Sequence, residues 1–180
     1  MANRKLFLIR HAQATGQAPD AELTSLGIEQ AEALVERMGA LGIDSLYASP
    51  YRRARATIEP FARRFGFDIT VLEDLHERVL LAEDHNWLDH VERSFADFDH
   101  KLRGGESLRD AQHKALVAIA EIAGANHSAA AAVSHGNLIA SVLCHIDASF
   151  GFHQWRAMRN PDIFEISLDE GRPSTFRRID

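Results

Sequence analysis

Three short apolar runs, LFLI at 6–9, LYA at 46–48 and AAAAV at 129–133, each break off into residues that carry charge or hydrogen-bond. Runs so short and so uniformly apolar suit strands covered on both faces. Helical periodicity fills the intervals between them. In LTSLGIEQAEALVERMGALG, Gly27, Ala31, Leu34, Val35, Met38 and Leu41 recur at helical spacing, with Thr24 as the cap and Gly39 or Gly42 as the stop. YRRARATIEPFARRFG reads as a second helix ending at Gly66, which Pro60 is expected to kink or split. FDITVLEDL reads as a further strand, and GGESLRDAQHKALVAIAEIAG as a long helix whose Ser107 and Asp110 have capping-box spacing. A helix over 137–146 follows the alanine run, and DIFEISLDEGRPSTFRRI closes the chain as two strands around Glu170-Gly171-Arg172. The alternation predicts a three-layer α/β/α sandwich with a mainly parallel sheet, a C-terminal antiparallel hairpin and a small helical insertion at about 78–103. At 180 residues and 46% hydrophobic, residues 1–180 are expected to form a single domain.

Such a topology dictates where chemistry can sit, because sites in open α/β sheets form beyond the carboxyl ends of parallel strands. Arg10 and His11 follow the first run, Ser49 to Arg53 the second, and Ser134, His135 and Gly136 the third. If the strands are parallel, two imidazoles and two guanidiniums meet at one crevice near helix N-termini, which is a phosphate site. A neutral imidazole has a lone pair that can attack phosphorus, and arginines can neutralise the equatorial oxygens. A carboxylic acid must protonate the leaving alkoxide. The scheme leaves a phosphohistidine for water to remove, and it requires no metal or other cofactor.

Charge narrows the partners. A net charge of −6 and a pI near 5.9 argue against nucleic acid and against an anionic membrane surface. Within that acidic total the basic residues are 17 Arg and 3 Lys, a skew that suits planar oxyanions. The single cysteine, Cys144, lies in an apolar stretch as a packed thiol. With four apolar residues after Lys5, the start is too short for a signal-peptide core of roughly 7–15, and no segment approaches the ~20 of a membrane span. A cytoplasmic protein is expected.

These elements resemble the histidine phosphatase superfamily, also called phosphoglycerate mutase-like, over nearly the whole chain, and its small phosphatase branch in particular. LIRHA is similar to the L-x-R-H-G signature, LTSLGIEQA to the L-T-x-x-G-x-x-Q-A helix start, and SPYRRARAT to the S-x-x-x-R-A-x-x-T element. LHER, GGES and VSHG resemble the segments bearing the acid, a helix entry and the second histidine, and Asn160 also fits. The resemblance implies that His11 is the nucleophile, Arg10 and Arg53 bind the phosphoryl oxygens, His135 is the second imidazole and Glu77 is the proton donor. It places Gln17 near a phosphate-contacting Asn of the family, and Gly136 beside the phosphate. The chain departs from the pattern at Ala12, where the family has Gly. It also lacks the glycines that follow the acid, which leaves Glu83 and Asp84 as alternative donors. The loop from His11 to Asp20 is shorter than in mutases.

Plainer readings stand beside these. Ser107 and Asp110 read as helix caps, and Gly105 and Glu106 as helix punctuation. Asp84-His85, Asp89-His90 and Asp99-His100 invite a metal reading, yet His85 and His90 lie about 140° apart on a helix, so they read as a solvated acidic face. Trp87, Phe95 and Phe98 are expected to pack the insertion, which roofs the crevice. The reading is a metal-independent phosphomonoesterase acting on a phosphorylated small molecule, or on a phosphohistidine of a partner protein. The alternatives are phosphoglycerate mutase-type transfer, a non-catalytic phospholigand-binding module and a metal-dependent phosphohydrolase. Oligomeric state and the particular substrate are not legible.

Overall fold

The computed structural model describes residues 4–81 and 86–180. In chain order these hold β1 (Lys5–Arg10), α1 (Ser25–Gly39), β2 (Ser45–Ala48), α2 (Arg52–Phe65), β3 (Ile69–Val71), α3 (Trp87–Ala96), α4 (Leu108–Gly124), β4 (Ala129–Ser134), α5 (Gly136–Ile146), α6 (Phe152–Arg156), β5 (Asp162–Asp169) and β6 (Arg172–Ile179). They form a mixed six-stranded sheet in the order β3-β2-β4-β1-β5-β6. Its β3-β2-β4-β1 half is parallel, and β5 and β6 add the antiparallel hairpin.

Strand alternation builds a core on each face. Leu6 and Leu8 of β1 pack with Ala115, Ile119 and Ile122 of α4 and with Leu138, Ile139 and Val142 of α5. Phe7 and Ile9 point the other way, onto Leu34 and Met38 of α1 and Ile58 and Phe61 of α2. The alanines of β4 divide in the same manner and are buried throughout, because β4 lies mid-sheet with helices on both sides. Small side chains there leave room for large ones arriving from the helices.

Local signals behave as their chemistry requires. Thr24 caps α1 by accepting from the Gly27 amide at 3.0 Å. Gly27 itself is dictated by the loop after β1, since a Cβ there would come within 2.0 Å of the Gln13 carbonyl oxygen. Ser107 and Asp110 form the reciprocal capping box, so they are caps and not site residues. The Cys144 thiol donates to the Phe150 carbonyl at 2.9 Å, and burial pushes its pKa up to about 12.

Several expectations are corrected. Pro60 does not split α2, which runs unbroken from Arg52 to Phe65. FDITVLEDL yields only three strand residues, and Glu73–Leu75 turn as a 3₁₀ helix. Helix in the described part of the insertion stops at Ala96, where the Asp97 carboxylate accepts from the Asp99 amide and turns the chain. The five-residue α6 was not anticipated. In the closing hairpin Glu170 and Gly171 alone make the turn, both at positive φ, and Arg172 already belongs to β6.

Candidate active site

Register brings the expected residues together. Arg10 lies beside Ser134 and Ala48 beside Val133. The ladder then continues one step past the strand ends: the His11 amide donates to Ser134 at 3.0 Å and the Ser49 amide to Val133 at 2.9 Å. His11, His135 and Ser49 therefore emerge side by side. The two imidazole centroids are 5.1 Å apart, with their planes at 63°.

The tautomer of the first imidazole is set by its partners. Nδ1 of His11 lies 2.7 Å from the Ala12 carbonyl. A carbonyl only accepts, so the hydrogen resides on Nδ1 and the lone pair on Nε2. Arg53 Nε donates to that Nε2 at 3.1 Å. Burial depresses the pKa of His11 to about 3, helped by the Arg53 and Arg10 charges and opposed by the Ala12 hydrogen bond. His135 is fully enclosed, and burial holds it well below the ordinary histidine value, with His11 and Arg53 acting in the same direction. Its Nε2 lies 2.7 Å from Ser49 Oγ.

Two guanidiniums border the His11 ring. Arg53, on the first turn of α2, is wholly buried and donates through Nη1 to the Ala18 carbonyl at 2.8 Å and the Gln17 carbonyl at 3.2 Å. Its Nη2 has no protein partner, and its Cζ lies over the Tyr51 ring, 4.9 Å from the centroid. Arg10 donates through Nη1 to Met158 at 2.9 Å, and its Nε is likewise unpartnered. Gly136 opens α5 directly against Arg10. A Cβ at Gly136 would stand 3.3 Å from Arg10 Nε and 3.4 Å from Trp155 Nε1, so glycine keeps this spot open.

Ala12 is accommodated. It is fully buried at negative φ, and its amide donates to Thr57 Oγ1 at 3.0 Å. Asn160 supports the same loop by donating to the His11 carbonyl at 2.8 Å. Gln17 borders the cleft, but its engagement with Arg53 is through its backbone carbonyl and not through its amide side chain.

Glu77 lies on the wall of the cleft. Its Oε1 accepts from the Arg78 amide at 2.8 Å and the Leu138 amide at 3.3 Å, and its Oε2 from the Asn137 amide at 3.4 Å. The N-terminus of α5 thus holds this carboxylate toward the arginines. Glu83 and Asp84 lie outside the described residues.

Beyond the expected set, sequence reasoning missed a supporting layer. Lys114 is buried and reaches Glu106 at 2.7 Å, the His76 ring at 3.1 Å and the Glu77 carbonyl at 3.4 Å. Glu106 in turn accepts from the Val79 amide at 2.8 Å, so it fastens the segment bearing Glu77 and is more than punctuation. Arg78 is buried as well, donating to Glu106 O, Ser94 Oγ and His100 O. Apart from an Arg following the acid in LHER, nothing local in the sequence marked these contacts. Above the floor opens a cleft of about 660 Å³, bordered by Arg10, Tyr51, Glu77 and Trp155 and by the apolar segment Val79–Leu81. Trp87 does not pack the insertion: it is 47% exposed on the cleft rim, whereas Phe95 packs near Phe152 and Trp155.

Among the described residues, no group of three or more His, Cys, Asp or Glu side chains is arranged to hold a metal ion. Asp99 pairs with Arg109 at 2.6 Å, and His90 stacks on His100. The Asp84-His85 pair lies outside the described residues. Among those residues no helix is long and apolar enough to cross a membrane.

Comparison with known proteins agrees with this geometry. A family model described as the histidine phosphatase superfamily (branch 1) matches residues 6–179. A Hydrogenobacter thermophilus protein named for phosphoserine phosphatase activity is 26% identical over 196 residues, covering 96% of this chain and 93% of the relative. A mycobacterial glucosyl-3-phosphoglycerate phosphatase solved with inorganic phosphate is 26% identical with a TM-score of 0.77, covering 98% of this chain and 96% of that one. A phosphoserine phosphatase from Entamoeba histolytica, solved with 3-phosphoglyceric acid, shares the fold at 21% identity and a TM-score of 0.77, with 98% of each chain covered.

Proposed function

Because the chain belongs to the histidine phosphatase superfamily, we propose that it is a metal-independent phosphomonoesterase acting through phosphohistidine, built as one domain and working in the cytoplasm on a small phosphorylated substrate. The observation that carries the reading is the His11 ring, neutral and with its Nε2 lone pair turned to Arg53. In the first half-reaction Nε2 attacks phosphorus and the P–O bond to the alcohol breaks, while Glu77 acts as general acid and gives the leaving oxygen its proton. Arg53 exchanges its bond to Nε2 for the phosphoryl oxygens, offering them Nε and the unpartnered Nη2. Arg10 Nε and His135 supply further donors as charge builds on those oxygens. In the second half-reaction Glu77 takes a proton from water, which attacks phosphorus and breaks the P–Nε2 bond. Inorganic phosphate and free His11 result.

Hydrolysis is favoured over mutase transfer because the loop from His11 to Asp20 is short. Phosphate release from p-nitrophenyl phosphate, compared with 3-phosphoglycerate isomerisation, tests this. Release that survives EDTA and is blocked by vanadate is expected. Isomerisation alone would reject the reading, loss with EDTA would favour the metal-dependent route, and phosphate binding without turnover would favour a binding module.

A further inference from the structure

The wall of the cleft that faces away from the phosphoryl floor has a composition the mechanism does not use. Among its described lining residues the only cations are Arg10 and Arg78. Arg10 belongs to the floor. Arg78 is 3% exposed, with Nε and Nη2 committed to Glu106, Ser94 and His100 and the unpartnered Nη1 enclosed away from the cleft surface. A second anionic group on a substrate would therefore find, among the described lining residues, no guanidinium or ammonium that is both exposed and outside the phosphoryl floor.

Apolar surface occupies the same wall. Leu81 and Trp87, 57% and 47% exposed, both stand at the cleft rim beside Val79 and Leu80. Exposed large apolar side chains gathered at a concave site mark a binding surface. The rim is also built to hold them there. Gly105 lets the backbone pass closely, since a Cβ at that position would lie 2.9 Å from the Val79 carbonyl oxygen and 3.0 Å from that of Leu80. Leu81 follows in the left-handed region, φ 47°, a conformation a leucine keeps only where its surroundings impose it.

We infer that the alcohol portion of the substrate is uncharged and bulky, an aryl-bearing or branched alkyl group packed against Leu80, Leu81 and Trp87, and that carboxylate-bearing phosphoesters are disfavoured. The inference rests on the phosphomonoesterase reading above. It separates this chain from the substrates for which its relatives are named, because O-phosphoserine and phosphoglycerates all carry a carboxylate.

The test compares kcat/KM of the full chain for 2-phenylethyl phosphate with those for O-phosphoserine and 3-phosphoglycerate. All three release primary alcohols, so leaving-group basicity does not decide the ranking as it would with a phenol. The phenylethyl ester is expected to lead by about 10–100-fold, the worth of burying one aromatic ring. Equal or better turnover of either carboxylate-bearing ester would overturn the inference while leaving the phosphatase reading intact. Failure to hydrolyse any phosphoester, p-nitrophenyl phosphate included, would overturn both. Leu81→Ala and Trp87→Ala should each reduce the phenylethyl-to-ethyl phosphate ratio of kcat/KM by about tenfold. An unchanged ratio in both would remove the rim from substrate selection. Trp87→Arg, at a half-exposed rim position, should shift the preference toward O-phosphoserine by about tenfold.

Discussion

The floor and the roof of the cleft are built on different principles. His11, His135 and Ser49 are held by the register of three parallel strands, so their relative placement is a property of the sheet. The roof, from Val79 to α3 and on to Glu106, is held by side chains: Arg78 reaching Ser94 and His100, and Lys114 reaching Glu106. Backbone ladders tolerate almost any side chain, whereas a side-chain scaffold fails when one member changes. The difference teaches that the floor, where we place the phosphoryl chemistry, depends least on individual side chains, and the roof, where we place substrate choice, depends on them most.

Substitutions at the floor should show the larger losses. His11→Ala is expected to lower kcat for every phosphomonoester by about 10⁵-fold or more, because the other imidazole of the site, His135, is fully enclosed and hydrogen-bonded to Ser49. Residual turnover within a hundredfold of the parent, read from steady-state phosphate release, would break the assignment. Glu77→Gln should reduce hydrolysis of alkyl esters by about 10²–10⁴-fold and of p-nitrophenyl phosphate by under tenfold, since p-nitrophenolate departs without a proton. Equal losses would take Glu77 out of the donor role. Arg53→Lys should lower kcat by about 10²–10³-fold, as an ammonium cannot replace Nε and Nη2 together. Little change would show that the guanidinium merely holds the loop carbonyls of Gln17 and Ala18.

At the roof the expected effects are on stability and selection. Arg78→Met removes three buried hydrogen bonds and should cost about 3 kcal/mol, a Tm decrease of about 6–12 °C by calorimetry. KM should change more than kcat. A kcat loss matching that of Arg53→Lys would erase the distinction between floor and roof.

A pH dependence of stability, spread over several pH units, belongs to the floor as well. With the pKa of His11 depressed to about 3, the unfolded chain binds a proton between pH about 3 and about 6.5 that the folded chain does not. Stability should therefore fall as pH decreases through that window, by up to ~1.4 kcal/mol per pH unit for this group. The burial of His135 adds to the slope in the same direction. Denaturant titrations of His11→Gln should show a shallower slope, and an identical slope would mean that His11 titrates normally in the fold.

How much of this was legible follows the same division. The floor could be read because strand ends advertise themselves: an apolar run stopping at Arg10-His11 or at Ser134-His135 states both an element boundary and a chemistry. Parallel pairing then fixes the rest. Helix caps such as Thr24 and Ser107 were equally local. Contacts that depend on where a long side chain turns were hidden, as with Lys114 meeting Glu106 and His76, and Trp155 reaching Gly136 from a five-residue helix with little periodicity. The insertion was overextended because Phe98 and Leu102 keep helical spacing beyond Asp97, whose carboxylate ends the helix. Trp87 was assigned to packing because its spacing matched Val91 and Phe95, and spacing does not say which neighbour is missing.

The central claim, that Nε2 of His11 takes the phosphoryl group, is tested most directly by rapid acid-free quenching of the enzyme with a ³²P-labelled phosphoester and peptide mapping of the label. The account predicts up to one label per chain on the peptide containing His11, as an acid-labile, base-stable phosphoramidate that is absent in His11→Ala and persists longer in Glu77→Gln. Label on another residue, or full-rate turnover with no labelled intermediate in either the parent or Glu77→Gln, would contradict it.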